Sequence, residues 1–387
     1  MKFKYFFLLY IFFSFISIRL KSQQFKDSTN IINPIDSTLK KNILDKTLAL
    51  TEFKFGRVTI NTFPLMNLDP SSGLAGGIMP IISIAPKAKS KFYRPSSLVS
   101  YCSYSTQKWL NIKSDLVLFT QKGLTINAYV QYIGAPDKYY GIANDTINTN
   151  PVLFNIRDLE IKGDIAKSIF TNTYVGLVFD ISHTYTESLG ITSEGLDVPA
   201  QKNQLLTGVG PYLAFDNRNN INYPSKGEFI TAGFLFYAPH AENAYSFYTF
   251  SFDAKDYTTI YKDFILATQL FTGYSNGDIP FYNLFQLGGK SRMRGISNKY
   301  MYIDSHIYYT QAELRKHIWG RFGMVAFAGI GNTFSSYSNL DFPNTKYVYG
   351  CGIRFQTNKR DNLNLRLDYG RGKFGDSGIY MTMREAF

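Results

Sequence analysis

Residues 124–133 read LTINAYVQYI. Leu124, Ile126, Ala128, Val130 and Tyr132 occupy every second position, and Thr125, Asn127, Tyr129 and Gln131 fall between them. Successive side chains of an extended chain point to opposite faces, so the segment predicts a strand with one apolar and one polar face. Residues 362–370, NLNLRLDYG, repeat the pattern, with Leu363, Leu365, Leu367 and Tyr369 opposite Asn364, Arg366 and Asp368. From about residue 52 onward the chain is a succession of such segments, many 10 to 12 residues long, and no stretch has helical periodicity.

A soluble sandwich also alternates, and segment length separates the two cases. Soluble strands average about 5 or 6 residues, whereas a tilted strand crossing a bilayer takes about 9 to 11. Composition points the same way: the chain is 45% hydrophobic and 17% aromatic, with 29 Tyr and 33 Phe against 2 Trp. That is too polar for a helical membrane bundle and too rich in Tyr and Phe for an average soluble enzyme. The expected fold is therefore all-β, a transmembrane antiparallel barrel with its polar face on a lumen and its apolar face in lipid.

The first residues supply the address. Lys2 and Lys4 precede an apolar run from Tyr5 to Ile18, followed by Arg19, Lys21 and Ser22. The run is shorter than the roughly 20 residues a spanning helix needs, so residues 1–22 read as a secretory signal peptide. Residues 23–52 are polar, with one weak apolar cluster at Ile43, Leu44, Leu48 and Leu50, too little for an independent domain. They read as a short periplasmic segment, leaving 53–387 for the barrel.

Strand segments run from 53–62 at the start to 377–387 at the end, about 16 in all, the even number that bacterial barrels use. With both termini periplasmic, the long connections around APDKYYGIANDTINTNP, TYTESLGITSEGLDVPAQKN, GGKSRMRGIS and SSYSNLDFPN all fall outside, and most short ones, such as QKG and TNKRDN, fall inside. Outer-membrane barrels divide their connections in this way.

Other function classes find little support. The formal charge drops from +12 to +8 when Lys2, Lys4, Arg19 and Lys21 leave with the leader, and the remaining cations are scattered, so nucleic acid is not an expected partner. Cys102 and Cys351 lie far apart in strand-like patterns and read as small apolar residues. The four histidines, His183, His240, His306 and His317, have no paired ligand spacing and fall on different strands without a partner set. No metal, cofactor or catalytic constellation is expected, and the chain is not read as an enzyme.

Several stretches, taken in order, resemble the barrel of the BamA/TamA outer-membrane assembly family, also called the bacterial surface antigen family. DNRNNINYPSKG is similar to its D-x-R-x(5)-P-x-x-G signature, here Asp216, Arg218, Pro224 and Gly227. FQLGGKSRMRGIS is similar to the glycine pair and [V/L]-R-G-[F/Y] motif of the long sixth extracellular loop, here Met293, Arg294, Gly295 and Ile296. QAELR, YGCGIRF, LRLDYG and the final REAF follow in the family's order. The resemblance runs from about residue 53 to 387 and lacks the POTRA repeats that normally precede such a barrel.

Each motif also has a reading of its own. DNRNNINYPSKG is a turn in which the asparagines tolerate left-handed geometry, Pro224 fixes φ and Gly227 lets the chain re-enter the sheet. In the family it is a periplasmic turn. A loop folding back into a barrel must approach the wall closely, which Gly288, Gly289 and Gly295 permit. The resemblance implies that Arg294 locks such an inward-folded sixth loop to acidic groups on the strands that follow. By parity the candidates are Glu313, on the face of Gln311 and Arg315, and Asp368, on that of Asn364 and Arg366. The family's F-x-D-x-G becomes Phe327, Gly329 and Gly331, so its aspartate position holds a glycine. At the other end, Phe387, Met383 and Met381 form an alternating stripe that resembles a C-terminal barrel signal, interrupted by Glu385 at the rim.

The expectation is an integral barrel of the bacterial outer membrane, surrounded by lipid and lipopolysaccharide. The resemblance implies a weak seam between first and last strands, here 53–62 against 377–387, that opens to client strands. Lacking POTRA repeats, the chain is read as an accessory factor in insertion or translocation, working with other assembly components or barrel clients. The alternative is a passive channel or structural surface antigen.

Overall fold

The alternating segments form antiparallel hairpins in a computed structural model that describes residues 52–85, 94–142, 150–190, 198, 203–239, 245–336, 344–358 and 362–387, the side chains of Glu52, Asn358 and Phe374 apart. The leader 1–22 and the segment 23–51 lie outside the described residues. Strands β1 (Glu52–Phe55), β2 (Val58–Asp69), β3 (Gly73–Ile84), β4 (Ser96–Ser105), β5 (Leu110–Phe119), β6 (Leu124–Tyr139), β7 (Val152–Phe170), β8 (Thr173–Ser188) and β9 (Gln204–Asp216) make the first half. The second half holds β10 (Gly227–Tyr237), β11 (Phe247–Tyr261), β12 (Phe264–Gly277), β15 (His306–Trp319), β16 (Phe322–Phe334), β17 (Lys346–Asn358), β18 (Leu363–Gly372) and β19 (Ser377–Met383). The long connection between β12 and β15 carries two short strands, β13 (Phe285–Gln286) and β14 (Ile303–Asp304), paired only with each other.

Each strand from β2 to β12 and from β15 to β19 pairs with the next, and β19 returns to β2, closing a barrel of 16 antiparallel strands. Strand β1 is an addition to it. In place of the single first strand expected over 53–62, the chain makes a tight hairpin at Gly56 and Arg57, with Phe53 opposite Ile60 and Phe55 opposite Val58. The first barrel strand is β2, and the last ends at Met383, short of the predicted 387.

The two faces separate as the alternation requires. Thr125, Asn127, Tyr129 and Gln131 point into the lumen, where Asn127 donates to Asp164 at 2.9 Å, Tyr129 to Glu160 at 2.7 Å and Gln131 to Asn111 at 3.0 Å. Val130, their neighbour, faces outward with Leu177, Val209 and Ile353. Cys102 and Cys351, the first on β4 and the second on β17, are also exposed on this outer face. Phe170, Tyr261 and Trp319 stand at the short-turn end, 72%, 62% and 73% exposed, as a rim of aromatic anchors. Leu363 departs from its predicted face: after a register shift beside Asn358 it packs inward with Phe63, Leu65, Met79, Ile81 and Val99.

At the other end β6, β7 and β8 run 16, 19 and 16 residues. APDKY, expected in a loop, continues β6 to Tyr139 because Pro136, Asp137 and Lys138 pair with Asn155, Phe154 and Leu153 on the equally long β7. This raised wall meets the β12–β15 connection in an aromatic cluster of Tyr139, Phe154, Phe281 and Tyr300, with edge-on contacts at 4.9 to 5.6 Å between centroids. The long-loop mouth of the barrel is thus capped on that side by apolar burial.

Candidate functional site

From this cap the connection descends into the lumen. Met293 and Ile296 are buried with Leu287, Tyr302, Ile307, Tyr309 and Val348, so the loop tip has an apolar seat of its own. The seat is fitted to glycine. Gly295 has φ +126, and a Cβ there would lie 2.7 Å from the Arg371 carbonyl carbon, inside any permitted contact. Gly370 and Gly372, on the lumen side of β18, keep that wall flat where the carbonyls of Arg294 and Gly295 press against it. Tyr380 of β19 completes the seat: its hydroxyl accepts from Gly295 N at 3.2 Å and donates to Ile296 O at 3.1 Å.

Arg294 engages both carboxylates that parity had left as alternatives. Its Nη1 donates to Asp368 Oδ2 at 2.5 Å and its Nη2 pairs with Glu313 Oε1, all three side chains being 0–1% exposed. One arm of the fork serves β15 and the other β18, with the two donors held in the fixed planar geometry that a guanidinium has and an ammonium lacks. Its carbon lies 3.7 Å from the centroid of Phe327, so the cation also rests on an aromatic face.

The absent aspartate has a physical counterpart. A Cβ on Gly329 would come within 3.0 Å of Met293 Sδ and of Gln311 Cβ. Met293, in the left-handed region at φ +43, donates its backbone N–H to Gln311 Oε1 at 3.2 Å, which fixes the thioether over the glycine. Glycine at 329 therefore makes room for methionine at 293, and the charge on Arg294 is answered from β15 and β18.

The cluster extends beyond the predicted residues. Arg315 Nε donates to Glu313 Oε2 at 2.8 Å, Arg366 Nη1 to Asp368 Oδ2 at 2.7 Å, and Arg354 Nη1 to Asp368 Oδ1. Arg354 Nε also donates to Glu385 Oε2 at 2.7 Å. Four guanidiniums thus meet three carboxylates. Arg354 and Tyr380 went unforeseen because their roles depend on strands paired only after the barrel closes. The available signal was the spacing of Gly370 and Gly372, two apart on the polar face of β18. Arg366 Nη2 reaches the carbonyl of Lys290 at 2.5 Å, and burial pulls the Lys290 ammonium below its usual range.

The turn motif forms a separate knot at the opposite end. Asp216 Oδ1 accepts from Arg218 N at 3.1 Å and Nε at 3.0 Å, while its Oδ2 accepts from Arg218 Nη2 at 2.9 Å and also binds Arg94. Pro224 is buried, and Gly227 at φ +100 passes so close to Asn217 O that a Cβ would lie at 2.6 Å. This constellation shapes the turn and does not touch the loop seat.

The C-terminal stripe follows a different course from the one predicted. Arg384 adopts φ +68, and the chain turns into the lumen. Glu385, expected at the rim, accepts from Arg354 and, at 2.8 Å, from Asn364 Nδ2; Phe387 O accepts from Arg315 Nη2 at 2.8 Å. Met383 packs against the apolar lumen cluster of β2 to β4. Only Ile379 and Met381 keep strand positions clear of the turn, and Met381 opposite Leu68 is the sole ladder pair between β19 and β2. Every other pair of adjacent barrel strands shares at least seven. The seam lies where the first and last strands meet, with bounds corrected to β2 and β19.

Among the described histidines, His183 is on β8, while His306 and His317 share β15 at opposite ends, contrary to the expectation of separate strands.

Comparison with known proteins places this geometry. Structures similar to the chain include a crystal structure of BamA from Haemophilus ducreyi lacking POTRA domains 1–3, with a TM-score of 0.53 and 14% identity over 86% of this chain and 70% of that one. CdiB from Acinetobacter baumannii gives 0.53 and 11% over 86% of this chain and 60% of that one, and CdiB from Escherichia coli 0.53 and 12% over 86% and 63%. The chain therefore spans about three-fifths of each CdiB. No curated protein sequence matches it. A model of the Omp85 superfamily domain matches residues 104–378, the greater part of the barrel and all of the loop seat except Tyr380, and so the chain belongs to the Omp85 superfamily and is a barrel of the outer membrane.

Proposed function

We propose that the chain is an accessory factor in the insertion of proteins into the outer membrane or their translocation across it, and that the β2–β19 seam is its working part. The observation that carries this reading is the single ladder pair at the seam. Unpaired edge groups of β2 and β19 form a template on which another strand can pair. The loop seat holds the wall on one side of that seam: Arg294 ties β15 to β18, and Tyr380 ties the loop to β19. On this reading the partners are outer-membrane lipid, lipopolysaccharide, barrel clients and other assembly components, and no catalytic chemistry is required.

The test is a reversible lock. Leu68→Cys with Met381→Cys, in a background carrying Cys102→Ser and Cys351→Ser, should cross-link the seam on oxidation. Cells relying on the locked protein should lose other barrels from the outer membrane by quantitative proteomics, as should cells depleted of it, and reduction should reverse the loss. Unchanged barrel abundance in both cases would turn the reading towards a channel or structural surface protein.

A further inference from the structure

The edge of β2 that faces the seam is shared by two strands. β3 takes the opposite edge along its whole length, from Val58 opposite Ile84 to Asp69 opposite Gly73. On the seam edge, β19 holds Leu68 alone, while β1 holds Val58 to Asn61 through four consecutive pairs. Residues 62 to 67 pair in register with neither strand. Continued in register, β19 would place Phe387 opposite Thr62, just above β1, but the inward turn at Arg384 removes it.

β1 itself is built as a barrel strand. Phe53 and Phe55 share the outward face with Ile60 and Val58, and are 57% and 66% exposed at the aromatic rim. Lys54 lies on the other face, opposite Thr59. Four residues closed by a two-residue turn form a marginal hairpin, which gives up its edge at little cost.

We propose that β1 is a built-in competitor on the short-turn half of the β2 edge, occupying in the resting protein the place that an antiparallel strand of another chain would take. β1 is then a resident competitor: it covers the template until a longer strand, able to pair through residues 62 to 67 as well, displaces it. The proposal rests on the reading of the seam as the working edge, and adds to it the identity of the first occupant.

The experiment uses the whole chain in lipid nanodiscs and a fluorescent peptide with the sequence of residues 50–57, LTEFKFGR. Phe53→Pro removes the backbone donor that β1 presents to Ile60 and should free the edge. Occlusion multiplies the apparent affinity by the open fraction, so the peptide should bind this variant about ten-fold or more tighter than the unmodified protein. A peptide with both phenylalanines replaced by aspartate should bind neither. Equal affinities, or no binding to the Phe53→Pro protein, would overturn the proposal. A second variant guards against misfolding: Phe53→Cys with Ile60→Cys, in the background free of native cysteines, pins β1 on oxidation. Oxidation should abolish peptide binding and reduction restore it, and binding indifferent to oxidation would also overturn the proposal. If the peptide behaves as expected while the Leu68–Met381 lock leaves barrel abundance unchanged, the function proposed for the seam fails and the β1 site stands. The reverse pattern removes β1 and keeps the seam.

Discussion

Arg294 is held by two carboxylates on different strands and by the face of Phe327. Replacing it with alanine removes two buried hydrogen bonds to carboxylates, although Glu313 keeps Arg315 and Asp368 keeps Arg354 and Arg366, and should cost about 3 kcal/mol. In detergent the variant should lose heat-modifiable mobility at a lower temperature than the parent. Arg294→Lys keeps the charge but loses the planar two-armed donor set that spans β15 and β18, and should fall between the two. Phe327→Leu removes the aromatic face and should cost up to about 2 kcal/mol in the same assay. Gly329→Asp should destabilise alone, because Met293 fills the space, and the penalty should shrink in combination with Met293→Val; additive losses would show that the two positions are uncoupled. Much of this was legible in the sequence. Parity alone put Glu313 and Asp368 on lumen faces, yet it could not choose between them, since a fork that serves both becomes visible only when β15 and β18 are brought to either side of the loop.

At the scale of the element, the ends of the chain were the hardest to read, for opposite reasons. In EFKFGRVTI the apolar positions are odd at Phe53 and Phe55 but even at Val58 and Ile60. That slip of phase at Gly56 and Arg57 marks a two-residue turn, and a single strand cannot keep all four on one face. In GIYMTMREAF the phase never slips, from Ile379 through Met381, Met383 and Glu385 to Phe387, and the pattern predicts a strand to the end. Here tertiary chemistry overrides alternation, because Arg354 and Asn364 draw Glu385 inward. Glu385→Leu should release the tail, let β19 pair further along β2 and slow amide hydrogen exchange at Thr62 and Met66, whose N–H groups face the seam. Exchange in β10 to β12 should not change and serves as the internal reference.

Taken whole, the molecule is a barrel whose lumen is occupied from above by its own longest described connection. Its interior is filled by the loop tip, four arginines and the returning C-terminal residues. In planar bilayers it should show small, infrequent openings, and deletion of residues 288–297 should convert these into large, steady, ohmic steps. Large steps from the unmodified protein would contradict the seated loop. The barrel, its strand count and the inward loop followed from alternation, segment length and the order of motifs. The raised wall of β6 to β8 did not, since Pro136 and the charges beside it imitate a loop until β7 is seen to pair with them.

The two native cysteines acquire a use from where the strands put them. Around the seam the order is β17, β18, β19, β2, β3, β4, with Cys351 on the first and Cys102 on the last, both facing lipid. They bracket the closure as the two marks of a ruler, five strand spacings apart along the wall. Each strand admitted at the seam lengthens that arc by about 4.8 Å. Spin labels on the unaltered thiols should therefore register such an event as a discrete step in a distance distribution, and a fixed distance in the presence of a bound strand would mean that it had entered elsewhere.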